Sequence, residues 1–314
     1  MAHVFIDGET GTTGLGIRAR LTGISGVELI SLSDAERKND EARLAAMRAA
    51  DVTVLCLPDE AAVAAVRMAQ SLGDASPKIL DTSTAHRVTE GWVYGFAEMA
   101  AGQAAAIAAA RLVANPGCYS TGAIALLRPL VAAGMLPADA AVTINAVSGY
   151  SGGGKAMIAA HEGEGGPAFE LYALGLRHKH VPEIMTYGGL TRRPIFVPSV
   201  GHFRQGMLVS VPLFLDALPG APSAHEISEV YREFFDGSPR VRPAVGVNAG
   251  NVNAEALNGT DLLEIFVCAQ GAQAVLVARL DNLGKGASGA AVQNIALMLG
   301  LPDPLLNEKE FADA

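Results

Sequence analysis

Cysteine is scarce: three residues, at positions 56, 118 and 268, in a chain of 314. They lack the spacing of a metal site and cannot all pair. A disulfide framework is therefore excluded, no metal is expected, and a reducing cytoplasm suits them. No basic run of five residues occurs and the net charge is −9, which argues against a nucleic-acid partner. No apolar stretch reaches the about 18–20 residues that span a bilayer, because charges, glycines or prolines interrupt each candidate. The chain opens directly on strand-like Val4-Phe-Ile6, so no signal peptide is expected. Internal repeats and linkers long enough to separate independent modules are also missing. What is present is an α/β composition, 50% hydrophobic and 18% charged with 35 glycines, at a length that favours two domains.

The rest of the sequence is organised around Leu112-Val-Ala-Asn-Pro-Gly-Cys118-Tyr-Ser-Thr-Gly122. The apolar run from Leu112 stops at Asn115-Pro116-Gly117, where proline and glycine end a strand and force a turn. From Ser120, the apolar residues Ile124, Leu126, Leu127, Leu130 and Val131 follow helical spacing. Cys118 is thus expected where a strand turns into a helix, beside free backbone N–H groups and the positive end of the helix dipole. That placement favours the nucleophilic thiolate. The competing account is a small, buried, inert cysteine, the role expected for Cys56 and Cys268 inside their apolar strands.

Residues 3–7 form a strand pattern that runs straight into Gly8-Glu-Thr-Gly11-Thr-Thr-Gly14, followed by helical spacing through Leu15, Ile17, Leu21 and Ile24. In that context Gly8, Thr10, Gly11, Thr12, Thr13 and Gly14 are candidates to hold a dinucleotide pyrophosphate. The spacing is GxxGxxG instead of GxGxxG, so an ordinary tight turn stays open. A second strand over 27–32 leads into Ser33-Asp34, with Arg37 and Lys38 beyond. Hydroxyls and cations in place of a terminal carboxylate suit the 2′-phosphate of NADPH and nominate Ser33, Arg37 and Lys38. A solvated charged loop competes, since Asp34 and Glu36 are close by.

Further strands over 52–57, 78–81 and 112–114, with a helix over 59–71, continue the alternation. The alanine-rich 97–110 reads as a surface helix. Beyond Cys118 a helix runs to Gly134, then strands fall at 141–147, 194–200, 207–214, 262–269 and 273–280, with one helix at 223–235. The pattern predicts an α/β protein: a doubly wound parallel-sheet NADP-binding domain over 1–117 with 286–314, and a second, α+β catalytic and dimerisation domain over 118–285. The last helix, 287–299, is expected to return to the first domain.

Gly149-Tyr-Ser-Gly-Gly-Gly154-Lys155 matches the GxxxxGK start of a phosphate-binding loop, but Ala156 stands where a hydroxyl must hold Mg²⁺. A nucleotide hydrolase is therefore the alternative function. A glycine nest with one lysine still suits a simple phosphate.

Six segments together resemble the short form of the N-acetyl-gamma-glutamyl-phosphate reductase family, and the resemblance spans nearly the whole chain. They are the glycine loop, Asp81-Thr-Ser-Thr-Ala-His-Arg87, Asn115-Pro-Gly-Cys-Tyr119, Ser148 to Lys155, His178-Lys-His-Val-Pro-Glu-Ile184 and Asp281-Asn-Leu-Gly-Lys-Gly286. The NPGCY loop and HKHxPE in one chain are the specific pair. The wider relatives, aspartate-semialdehyde and glyceraldehyde-phosphate dehydrogenases, share the nucleotide fold and the cysteine. One departure is Tyr94-Gly-Phe-Ala-Glu98, where the longer family form has proline at the fourth place.

The resemblance implies NADPH-dependent reduction of N-acetyl-L-glutamyl 5-phosphate to the 5-semialdehyde, a step towards arginine, by a homo-oligomer (dimer or tetramer). An aspartate-semialdehyde dehydrogenase-type reductase is the near alternative. Cys118 would be the nucleophile, with its own N–H and Asn115 as donors to a developing oxyanion. His178 and His180, two apart, could share a side if the segment is extended. A zinc site, a structural pair and catalysis compete for them; His180 is favoured as acid/base, His178 as a substrate-orienting group, and His202 is the reserve. Arg87 is the first candidate for the substrate phosphate, with Ser83 beside it, and Ser151 and Lys155 second. Asn282 and Lys285 would line the nicotinamide side.

Overall fold

The computed structural model describes residues 1–247 and 250–302. The chain divides into two compact units, 1–116 with 287–314 and 117–286. The boundaries fall where proline and glycine interrupt the chain.

The first unit alternates strand and helix: β1 (Ala2–Asp7), α1 (Thr12–Leu21), β2 (Val27–Ile30), α2 (Asp40–Ala49), β3 (Val52–Leu55), α3 (Asp59–Gln70), β4 (Lys78–Asp81), β5 (Val93–Tyr94), α4 (Gln103–Ala109) and β6 (Leu112–Ala114). Every strand pair is parallel, in the order β2-β1-β3-β4-β6-β5. Parallel sheets need cover on both faces, and two apolar layers supply it. On one side Val4, Ile6, Val52, Val54 and Leu80 pack with Ile17 of α1 and with Ala291, Val292, Ile295 and Met298 of the chain's last helix. On the other, Phe5, Leu55 and Ile79 pack with Met47 of α2 and Ala62, Ala65 and Val66 of α3. The expected strand over 27–32 stops at Ile30, and the alanine-rich helix is only the seven residues of α4. Gly102, left-handed at φ 77°, sets its start.

The second unit opens with α5 (Cys118–Ala132), then β7 (Thr143–Gly149), α6 (Gly154–Glu162), β8 (Phe169–Leu171), α7 (Val181–Gly188), β9 (Ile195–Gly201), β10 (Met207–Phe214), α8 (Ala224–Phe234), β11 (Val241–Val247), β12 (Leu263–Gln270) and β13 (Gln273–Leu280). A π-turn over Gly284–Ser288 leads into α9 (Gly289–Leu299). The mixed sheet has the order β11-β12-β13-β10-β7-β9-β8. Helix α5, buried from Tyr119 through Leu127, packs on β10 and β13 and against α7 and α8. Helix α8 begins with a capping box between Ser223 and Glu226, and its Tyr231 donates to the Leu126 carbonyl at 2.6 Å. Among the described residues the other face of the sheet carries no helix contact of this kind; Phe169, Leu171 and Val275 are exposed there. Cys268 lies on that open face, not in a core as its apolar strand suggested, because β12 alternates its side chains between the two faces. No helix among the described residues is long and apolar enough to cross a membrane.

Candidate active site

Cys118 is the first residue of α5, and Gly117 is its N-cap with no side-chain capping bond. The first turn contains no acidic residue, so its N–H groups and the helix dipole act on the half-buried sulfur without a covalently adjacent counter-charge. Gly286 lies directly against it: a Cβ there would sit 2.9 Å from the Cys118 Cβ and 3.0 Å from the Asp281 carbonyl oxygen. Only glycine permits that approach.

The Gly117 N–H donates to Glu183 Oε2 at 3.1 Å. Glu183, 1% exposed, is in the first turn of α7, and its other oxygen is 3.9 Å from His180 Nε2. One buried carboxylate thus links the turn before Cys118 to a histidine. His180 is the N-cap of α7 and the Val181 N–H donates to the His178 carbonyl, so the segment turns and the condition under which the two histidines would share a side, an extended backbone, is not met. Pro182 near the helix start favours the turn into α7. The rings still meet, edge to face at 4.7 Å, because His178 Nδ1 accepts the His180 backbone N–H at 3.1 Å. A neutral His178 therefore carries its proton on Nε2, which faces the Tyr172 hydroxyl at 3.4 Å.

Aromatic rings enclose this pair. Tyr119 lies 5.9 Å from His178 and 5.8 Å from His180, and Phe196 is 5.0 Å from His178. The Tyr119 hydroxyl donates to the Ser199 carbonyl at 2.9 Å. Burial raises the Tyr172 hydroxyl to about 12, with the Cys118 charge adding to it. Tyr119 is pushed up further, by burial first and then by Tyr172 and Cys118. Both phenols stay protonated donors at neutral pH, within the field of the sulfur.

Ser151 and Asn282, expected on different ligands, bind each other: Asn282 Nδ2 donates to Ser151 Oγ at 2.9 Å, and Asn282 Oδ1 accepts the Gly206 N–H at 2.8 Å. Lys155 is exposed on α6, whereas Lys285, in the π-turn next to Gly286, is 1% exposed. His202 packs in a ring cluster with Tyr150 and His161, at 6.0 and 5.8 Å.

In the first unit, the glycine loop joins β1 to α1. Gly8 has φ 88°, and a Cβ on it would lie 2.3 Å from the Cys56 carbonyl oxygen. Thr12 and Thr13 begin α1, whose N-cap Gly11 brings no side-chain cap and whose first turn has no acid. Tight glycine packing and uncapped N–H groups fit a pyrophosphate. At the end of β2, Ser33 is bound by Glu36 Oε2 through both N–H (3.0 Å) and hydroxyl (2.6 Å), and Lys38 is exposed. Arg37 pairs with Asp34 at 2.7 Å and Glu9 at 3.1 Å; Arg18 also pairs with Glu9.

At the end of β4, fully buried Asp81 accepts from the Ser83 N–H (2.9 Å), the Ser83 hydroxyl (2.7 Å) and His86 Nδ1 (2.6 Å). His86 stacks on Trp92 at 4.2 Å. These bonds fold 82–87 into a fixed loop that carries Arg87, whose Nη2 donates to the Thr82 carbonyl at 3.2 Å. Asn115 Nδ2 donates to the Ala287 carbonyl at 3.1 Å, and its Oδ1 accepts from Asn294 at 3.1 Å. These bonds fix the Asn115 side chain against residues of its own unit.

Residues 118–282 match the family described as semialdehyde dehydrogenase, dimerisation domain. Proteins named N-acetyl-gamma-glutamyl-phosphate reductase from Brucella ovis and Brucella anthropi are each 54% identical over 307 residues, 95% of this chain and 98% of theirs. The chain belongs to the N-acetyl-gamma-glutamyl-phosphate reductase family. Among solved structures, aspartate semialdehyde dehydrogenase II of Vibrio cholerae has the same fold, with TM-score 0.71 at 16% identity over 96% of this chain and 99% of that one. Aspartate semialdehyde dehydrogenase of Candida albicans with NADP matches at TM-score 0.66 and 12% identity, over 96% and 99% of the two chains. Family membership sets the nucleotide-hydrolase alternative aside.

Sequence reasoning missed Glu183 and Tyr172 beside the histidines, and Glu9 and Arg18 beside the glycine loop. Glu183 had a signal, an acid three residues after His180 at a helix start. Tyr172 had none.

Proposed function

We propose that the protein reduces N-acetyl-L-glutamyl 5-phosphate with NADPH to N-acetyl-L-glutamate 5-semialdehyde and phosphate, in arginine biosynthesis. The observation that carries this is Cys118 at the head of α5, joined through Gly117 and Glu183 to His180, in a chain of this family. The Cys118 thiolate adds to the acyl carbonyl, and the resulting oxyanion is met by the N–H groups of the first turn of α5 and the free N–H of Asn115. Phosphate leaves as the carbonyl re-forms, giving a thioester on Cys118. NADPH, when bound, supplies the hydride that reduces this thioester. His180 takes the thiol proton at the start and returns it to the thiohemiacetal oxygen or the leaving sulfur at the end. Glu183 orients His180 and compensates its charge when protonated. His178, held between the His180 N–H and Tyr172, orients substrate and is not the proton carrier. Arg87, with Ser83, takes the phosphate; the exposed Lys155 and tied Ser151 are second choices.

A second copy of the chain covers the open face of the second sheet. Exposed Phe169, Leu171 and Val275, with half-buried Val197, Leu208 and Cys268, give it an apolar surface, and the matching domain family is described as one of dimerisation. Three cysteines outside any disulfide and no membrane-length helix among the described residues are in keeping with a cytoplasmic enzyme.

The test is the reverse reaction. With NADP⁺ and phosphate, the enzyme is expected to oxidise N-acetylglutamate semialdehyde far faster than aspartate semialdehyde. A preference for the aspartate compound would transfer the chain to its structural neighbours' activity.

A further inference from the structure

A carboxylate inside a pyrophosphate-binding loop is electrostatically unfavourable unless cations compensate it. Glu9 is such a group, with a side chain only 9% exposed. Each of its oxygens is occupied: Oε2 by Arg18 Nη1 from α1, and Oε1 by Arg37 Nη2 at 3.1 Å from beyond β2. Arg18 Nη1 also donates to the hydroxyl of Ser31, the residue that follows β2, at 2.9 Å. Two guanidinium groups from separate elements are therefore gathered on one buried anion at the carboxyl end of β2. In a sheet of this order that end faces the adenosine ribose of a dinucleotide.

The charges leave one excess positive unit on the trio, and Asp34 answers it from outside through Arg37 Nη1 at 2.7 Å. Asp34 is 91% exposed, so its hold is weak and a dianion can replace it. The residues first nominated for a 2′-phosphate are less suited. Both donors of Ser33 are engaged by Glu36, and Lys38 is an exposed point charge without the planar fork of arginine.

We infer that Arg18 is a specificity-determining residue for NADPH: with Arg37 and Ser31 it clamps the 2′-phosphate, Glu9 positions both guanidinium groups, and Asp34 is the partner that the phosphate displaces. The inference rests on the use of NADPH proposed above. A purely structural Arg18 would do no more than fasten α1 to the end of β2.

Binding of NADPH and NADH to the whole enzyme, followed by nucleotide fluorescence without substrate, separates the two roles. Arg18→Gln should weaken NADPH about 10–100-fold, the range of a lost charge-assisted contact, and NADH less than about 3-fold. Arg18→Lys, which keeps the charge but not the fork, should fall between. Asp34→Asn should act with the opposite sign, tightening NADPH about 2–5-fold with NADH unchanged, because it removes the competing anion. Equal weakening of both nucleotides by the Arg18 variants, or none, overturns the inference, as does an Asp34→Asn enzyme with unaltered NADPH affinity. Should Arg18→Gln not fold, Arg18→Lys and Asp34→Asn decide alone. A wild-type enzyme that binds NADH as tightly as NADPH would instead refute the underlying cofactor assignment.

Discussion

Strand β3 is buried at every one of its four positions, whereas β10 alternates buried and half-buried residues over its first five. Both strands are central in their sheets. The parallel sheet has helices on both faces and is finished as it stands. The mixed sheet is covered on one face by α5 and α8, and its other face ends in apolar side chains. The first sheet also carries groups suited to binding: a glycine cradle, paired arginines and the Asp81 loop. In the second unit, helices α5 and α7 bring Cys118, the buried His180 and Glu183 together. In the function proposed above, binding and bond-making would fall to different compact units, and the variants below test that division.

The sharpest way to separate them is Cys118→Ser. A hydroxyl is a far weaker nucleophile at neutral pH, so turnover should fall about 10⁴-fold or more while NADPH affinity stays put. An acyl group trapped on the wild-type enzyme should map to the Cys118 peptide. A Cys118→Ala enzyme with a tenth of normal turnover would mean that the second unit does not act through this thiol.

Next in size is His180→Asn, which removes proton transfer but keeps a polar side chain. The turnover number should drop about 10²–10⁴-fold, and a neutral-pH limb of the wild-type profile should vanish. His178→Asn should raise KM more than it lowers kcat. Near-normal turnover in His180→Asn would move the proton to His178 or His202.

The open face is tested with Val275→Glu. A charge at a half-exposed apolar site is tolerable in a monomer and costly in a buried interface, about 2–5 kcal/mol. Sedimentation should then find a smaller species than the wild type, at unchanged helix content. An unaltered oligomer would place the interface elsewhere.

The smallest effect contrasts the thiols of the two sheets. Cys56 packs against the core of the first, and burial lifts it from 9.0 to about 12. The unfolded chain then loses this proton before the folded one does. Its stabilising contribution is complete below pH 9 and drains away up to about pH 12. Chemical denaturation across that range should be steeper in the wild type than in Cys56→Ala, by about 1.4 kcal/mol per pH unit at most. Equal slopes would deny Cys56 this burial. Cys268, on the open face, is raised by burial alone.

Much of this organisation is written locally. The glycine turn, the Pro116-Gly117 break and the apolar period after Ser120 state where β1 ends and where α5 begins, and both lie there. Six elements escaped: α2, α6 and α7, whose polar or short stretches carry weak periodicity, the two- and three-residue strands β5 and β8, and β11, interrupted by Pro243 and Gly246. The candidate site was legible wherever a residue's chemistry is rare, as at Cys118 and His180, which stand at the starts of α5 and α7. It was illegible where the partner is set by tertiary contact. Nothing near Asn282 in the sequence announces Ser151, and nothing near Glu9 announces Arg37.

Helix α9 has a consequence for how the chain is made. Its Ala291, Val292, Ile295 and Met298 close one side of the parallel sheet, whose last strand in the chain, β6, ends at Ala114. At roughly 5–20 residues per second on the ribosome, the helix is completed roughly 10–35 s after that strand emerges. Throughout that interval Val4, Ile6, Val52 and Val54 have only α1 to cover them on this side, while the segment bearing Cys118 is synthesised in full. The later-made unit is thus complete in sequence before the earlier one receives its last helix.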